Sequence, residues 1–187
     1  MTVEGVVRGM LIVALLWWSW VGYAWLGNVV RADEGIVRAV MFAAMAAMFI
    51  VALAIPEAFD DLPGGLNGPV VVAACYFVFH ALHVAMFWIA ARDDRGLRRQ
   101  LLRFAPTVTV ATAILLVASR TTGNTQTLLW AAALGADYVG TVLGGSSGWR
   151  LRSASHFAER HSLIIIVALG ESIVAIGVGI AARPIFW

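Results

Sequence analysis

The sequence predicts an all-α protein, a polytopic transmembrane helix bundle of about six spans. Of its 187 residues, 61% are hydrophobic and 13% charged, with a mean hydropathy of +0.85; a soluble domain carries roughly 25% charged residues. The apolar residues come in blocks of about twenty, the length that crosses a hydrocarbon core of about 30 Å at 1.5 Å per residue. Short polar breaks separate the blocks: RADEG at 31–35, DDLPGGLNGP at 60–69, DDRGLRR at 93–99, TTGN at 121–124 and GGSSGWRLRS at 144–153. The spans fall at 9–27, 38–57, 69–91, 104–119, 126–144 and 161–182, and they form one domain over 1–187.

The first span is too long and too rich in tryptophan for a cleaved signal, lacks a small-residue cleavage site, and is followed by equally apolar segments. In its WWSWVGYAW run at 17–25, Trp25 fits an interfacial aromatic belt, whereas Trp17 and Trp18 lie deeper and are expected to pack on neighbouring helices. An aromatic ligand cage is a further reading of the same run. Pro56 and Glu57 close the second span. The third carries His80 at its centre, with Tyr76 and His83 on the same face. The fourth is short, with Pro106 near its start and three threonines. On the fifth, Ala133, Asp137, Gly140, Thr141 and Gly144 share a stripe; on the sixth, Glu171, Ala175 and Gly179 do. Small residues four apart let helix backbones approach closely, so both carboxylates are expected to face protein and not lipid.

The thirteen basic residues are all arginine and the net charge is +2. Ten of them follow spans one, three and five, and basic residues accumulate on the cytoplasmic side. Loops 28–37, 92–103 and 145–160 are therefore expected in the cytoplasm and the N-terminus outside, in the cell inner membrane. An outside start suggests that a preceding helix is absent from this chain. The basic run 92–103 is a topology anchor for anionic headgroups; arginines in membrane loops give no reason to expect nucleic acid. The lone Cys75 rules out an internal disulfide and a multi-cysteine metal site. His156 and His161 stand five apart without further ligands, so no metal and no cofactor is expected.

Ionisable groups inside a span cost about 2.5 to 3.5 kcal/mol at the centre on insertion scales, so each calls for a partner or a cavity. His80, Asp137 and Glu171 each lie ten or eleven residues into their spans, about 15 to 17 Å from the entry point and near the midplane. Their common depth favours an intramembrane path for protons, cations or a small polar solute. His83 extends the line toward the cytoplasm and Tyr76 outward. The bland alternative is a set of buried polar groups that only specify packing.

Residues 156–179, HFAERHSLIIIVALGESIVAIGVG, resemble the signature of the bacterial low temperature requirement A family, in which H-F-x-E-R-H-G-L leads to L-G-E-S-I. WWSWVGYAW followed by Asn28, and AIPEAF at 54–59, are similar to the family's early helices. Ser162 stands where glycine is common. Members resemble a chain about twice as long, with an earlier helix bearing an E-L-F-F-D-L type motif and further helices after L-G-E-S-I. The resemblance thus implies a truncated or partial member, and it implies no reaction. It marks His156, Glu159, Arg160, His161, Gly170, Glu171 and Ser172 as motif residues.

Those residues also make sense physically. Glu159, Arg160 and His161 stand at the cytoplasmic entrance of the sixth span, where a carboxylate complements the helix dipole, and Arg160 could pair with Glu159 or with a lipid phosphate. Gly170 loosens or closely packs the helix beside Glu171 and Ser172. Three functions compete: a transporter or channel using Glu171, Asp137, His80 and His83; a membrane enzyme acting on a lipid-linked substrate with Glu159, His161 and Arg160 as base and phosphate clamp; and a non-catalytic scaffold or sensor. The bilayer is the certain partner, a homo-oligomer is allowed, and transport ranks first because three midplane groups suit a path better than interface chemistry.

Overall fold

A computed structural model describes residues 2–30, 35–144 and 153–181. Among them every long element is helical: α1 Val3–Val29, α2 Gly35–Ala54, a short 3-10 turn Ile55–Glu57, α3 Gly68–Ala90, α4 Arg95–Ala118, α5 Gly123–Gly144 and α6 Ala154–Ala181. Six helices are long and apolar enough to cross a membrane. The chain divides into two compact units, Met1–Arg150 and Leu151–Trp187. Each is described by itself.

Helix starts are set by polar caps that lie outside the apolar blocks. The Thr2 side chain accepts the Gly5 N–H at 3.2 Å, so α1 begins six residues before the apolar block suggests. Asn67 accepts the Val70 N–H at 3.1 Å, ahead of Pro69, whose missing N–H is harmless in a first turn. The largest revision is α4. Asp94 accepts the N–H groups of Gly96 and Leu97 at 2.9 and 3.0 Å, and the helix starts at Arg95, nine residues before the expected 104. Leu97 and Leu101 are buried four apart while Arg98, Arg99 and Arg103 stay exposed, so the basic run is the amphipathic first half of a span, not a loop. Pro106 consequently lies inside the helix. The hydroxyls of Thr107 and Thr109 donate to the carbonyls of Phe104 and Ala105 at 2.8 and 2.9 Å, and such bonds help a proline-bearing span keep its backbone satisfied.

Within the first unit α4 packs most extensively on α5 and α2 on α3; α3 also meets α4, and α1 meets α3 and α5. The stripe of small residues on α5 sets the closest approach. A Cβ added at Gly140 would fall on the Thr107 side chain of α4, so only glycine lets these backbones come this near. At the end holding the N-terminus, Arg8 pairs with Glu4 at 2.7 Å and Asp60 at 3.0 Å, donates to Thr127 Oγ1 at 3.3 Å and lies 4.9 Å over the Phe59 ring. The start of α1, the α2–α3 connection and the start of α5 thus share one end, as alternating spans require.

Below this end lies an apolar plug. Phe59 and Trp130 meet at 4.7 Å between centroids, and Leu15, Val51, Val72, Leu115 and Leu134 pack around them, with Tyr76 in the same cluster. A second cluster joins Leu26, Met86, Phe87, Leu97 and Leu101 at the opposite end.

Candidate functional site

Tyr76 belongs to the first of these clusters, and His80 lies one turn further along α3. The Tyr76 hydroxyl donates to Asp137 Oδ2 at 2.9 Å. Its own backbone carbonyl accepts a hydrogen bond from His80 Nδ1 at 3.1 Å, and its ring lies 4.1 Å from the His80 ring. His83, a further turn along, places its ring 6.5 Å from that of His80 and donates from Nε2 to the Gly22 carbonyl of α1 at 3.0 Å. A carboxylate, a phenol and two imidazoles therefore form one ladder along α3, with Asp137 supplied by α5.

Burial gives the ladder its chemical weight. Asp137 is 1% exposed and His80 and His83 are each 4% exposed. Among the described residues only Asp137 Oδ2 is bonded; Oδ1 is buried with no hydrogen-bond partner there. A buried polar atom left unmatched costs about 1 to 3 kcal/mol and more when charged, and this oxygen can accept a hydrogen bond. Thr141, one turn after Asp137, has a buried hydroxyl in the same condition, as do Thr112 of α4 and both side-chain polar atoms of Gln126. Gln126 is 0% exposed and shares a face of α5 with Trp130, Ala133 and Asp137.

The His83 imidazole is held against α1. A Cβ at Gly22 would sit 3.3 Å from His83 Cε1, so a side chain there would press on the ring. Tyr23 donates from its hydroxyl to the Phe79 carbonyl at 2.9 Å and stacks on His83 at 5.2 Å. Because a carbonyl can only accept, Nδ1 of His80 and Nε2 of His83 carry hydrogens, which leaves Nε2 of His80 and Nδ1 of His83 as acceptors in the neutral rings. Both residues line a cavity of about 580 Å³, together with Trp18, Tyr23, Phe104 and Thr141 among others. His80 also borders a second cavity of about 470 Å³ between α3 and α4.

The structure brings together His80, His83 and Asp137 of the expected path, with Tyr76 as the joint. Trp18 packs on Tyr138 of α5 at 4.3 Å. Trp17 meets Trp20 of its own helix at 5.5 Å between ring centroids and is 40% exposed. Gly22, Tyr23, Gln126 and Thr112 were not legible as site residues. Tyr23 and Gly22 belong to the aromatic run that reads as a belt, and a lone amide or hydroxyl in a span carries no signal of which helix it meets.

The remaining candidates lie on α6, in the second unit. His156 Nδ1 and Glu159 Oε2 are 3.2 Å apart, so among the described residues Glu159 pairs with His156, one turn before it, and not with its neighbour Arg160. His161 Nδ1 donates to the Phe157 carbonyl at 2.8 Å. Arg160 and Glu171 stand eleven residues apart, about three turns, on one face. Glu171, Ala175 and Gly179 follow one stripe beyond Gly170, and the Ser172 hydroxyl donates back to Ala168 at 2.7 Å.

Fold and site together define a multi-pass helical membrane protein that keeps a carboxylate and two imidazoles in its interior. The family model for the bacterial low temperature requirement A protein matches residues 1–187, and the chain belongs to that family. It is similar to an uncharacterized protein of Rhizobium meliloti (strain 1021), 27% identical over 178 residues, which cover 91% of this chain and 42% of the relative. The chain thus spans about two fifths of the length of that curated relative. No solved structure matches.

Proposed function

We propose that this protein is a transporter or channel whose intramembrane path runs along the Tyr76–His80–His83 ladder and uses Asp137 as its ion- or proton-accepting group. The observation that carries the reading is the unmatched Oδ1 of a fully buried aspartate, beside residues that can pass a proton. A scaffold needs no such oxygen; a neutral amide would pack there equally well. Glu171, a motif residue near the middle of α6, is proposed on its own helix as a further ion- or proton-accepting group. The arginine distribution supports an inner-membrane location with the arginine-rich segments 28–37, 92–103 and 145–160 on the cytoplasmic side.

The test is reconstitution in liposomes containing a pH-sensitive dye, under an imposed proton or monovalent-cation gradient. The native chain should dissipate the gradient, and Asp137→Asn and Glu171→Gln should each reduce that rate at least tenfold while eluting as folded protein. Equal rates in protein-free vesicles and in native proteoliposomes would sink the proposal. The His156–Glu159 pair at 3.2 Å supports a second reading, an enzyme acting on a lipid-linked substrate at the cytoplasmic interface. That reading gains if His156→Ala and Glu159→Gln abolish the cellular phenotype and Asp137→Asn does not.

A further inference from the structure

The cavity of about 580 Å³ beside the imidazoles has a chemistry distinct from that of Asp137 itself. Its walls are aromatic, with Trp18, Tyr23 and Trp25 from α1, Phe79 from α3 and Phe104 from α4, and among the described residues no Asp, Glu or Arg side chain lines it. That volume is in the range of sites that bury a small organic molecule.

Its polar atoms are biased toward accepting. One nitrogen of each histidine is committed as a donor to a backbone carbonyl, which leaves the other nitrogen with a lone pair. The Ser19 hydroxyl, also on the wall, donates its hydrogen to the Leu15 carbonyl at 2.9 Å and so offers lone pairs as well. Thr141 adds a hydroxyl with no partner among the described residues, able to accept as well as donate. Asp137 precedes Thr141 by one helical turn, about 6 Å along α5, which puts a carboxyl group one turn from the cavity wall. A guest here meets acceptors and aromatic faces and, among the described residues that line the cavity, no guanidinium.

We infer that this cavity binds an organic ammonium ion carrying an apolar, preferably aromatic, body. The N–H groups of the ammonium satisfy the imidazole and hydroxyl lone pairs, the ring faces hold the cation electrostatically, and the apolar body fills the rest. An organic carboxylate is excluded by the same features. The assignment names the solute class of the proposed path and rests on that reading only for the idea that the solute then moves; binding is measured without flux.

Three probes share one apolar body and differ in head group: naphthylethylamine, naphthylethanol and naphthylacetate. Titration calorimetry on the detergent-solubilised 187-residue chain, with protein-free micelles subtracted, is run at about pH 8, where an imidazole of ordinary pKa is neutral and the amine protonated. The amine should bind about tenfold more tightly than the alcohol, and the carboxylate should not bind measurably. Asp137→Asn should bring the amine down to the alcohol's affinity and leave the alcohol unchanged. Phe104→Leu, which keeps volume but removes a ring, should weaken the amine more than the alcohol.

Equal affinity for amine and alcohol, tighter binding of the carboxylate, or no binding of any probe to monodisperse native protein overturns the inference. A gradient-dissipating protein that binds none of the probes overturns this inference and leaves the proton path standing. Amine binding with no flux of any kind does the reverse.

Discussion

Asp137 and Tyr76 are the pair on which single substitutions discriminate most sharply. Tyr76→Phe keeps the ring that packs on His80 but removes the one donor to the carboxylate among the described residues. The variant should lose about 1 to 3 kcal/mol, the cost of leaving a buried polar group unmatched, read as a lowered thermal-unfolding midpoint in detergent. Asp137→Asn can still accept from the Tyr76 hydroxyl at 2.9 Å, so its midpoint should move by less than about 1 kcal/mol while gradient dissipation collapses. A variant that unfolds like Tyr76→Phe yet dissipates normally would mark Asp137 as packing alone. The sequence brought His80, His83 and Asp137 forward because an ionisable group in an apolar run stands out by its cost. It was silent on Gly22 and Gln126, which are polar or special only through what lies opposite: the His83 ring at 3.3 Å from a would-be Cβ, and an interior that leaves both amide atoms unmatched.

Helix contacts and caps make predictions of their own. Gly140→Ala drives a methyl into Thr107 and should destabilise by about 1 to 3 kcal/mol through overpacking, whereas Gly135→Ala, five residues earlier with open space around it, should be neutral or slightly stabilising because alanine is the better helix former. If both substitutions behave alike in a thermal-unfolding series, the α4–α5 crossing is not as close as described. Asp94→Ala removes the cap of α4 and should cost about 0.5 to 2 kcal/mol, seen as faster hydrogen exchange at the amides of Gly96 and Leu97. The late expected start of α4 has a plain cause. An apolar-window reading stops at arginine, while a helix at an interface can keep Leu97 and Leu101 inward and Arg98, Arg99 and Arg103 outward. Fifth-span stripe residues were legible as a close-packing face, since spacing by four is a property of one helix; Thr107 as the residue they meet was not.

At the scale of the whole molecule the arginine distribution predicts an orientation that can be read directly. In a background with Cys75→Ser, Leu66→Cys in the α2–α3 connection should react with a membrane-impermeant maleimide in spheroplasts, and Arg95→Cys should react only after the membrane is opened. The opposite pattern would invert the topology. Arg8, Asp60 and Thr127 meet at one end, so a single label on that end reports for all three segments. What the sequence determined by itself was the membrane class, the number of helices and the ends they share, because crossing a bilayer is decided locally, by apolar length, backbone self-satisfaction and flanking charge. Only the tertiary structure decided that Asp137 meets Tyr76, that His83 rests on the Gly22 carbonyl and that a cavity opens beside them. Periodicity tells which residues share a face of one helix; which neighbour that face meets, and at what height, depends on the rotation and offset of helices far apart in the chain.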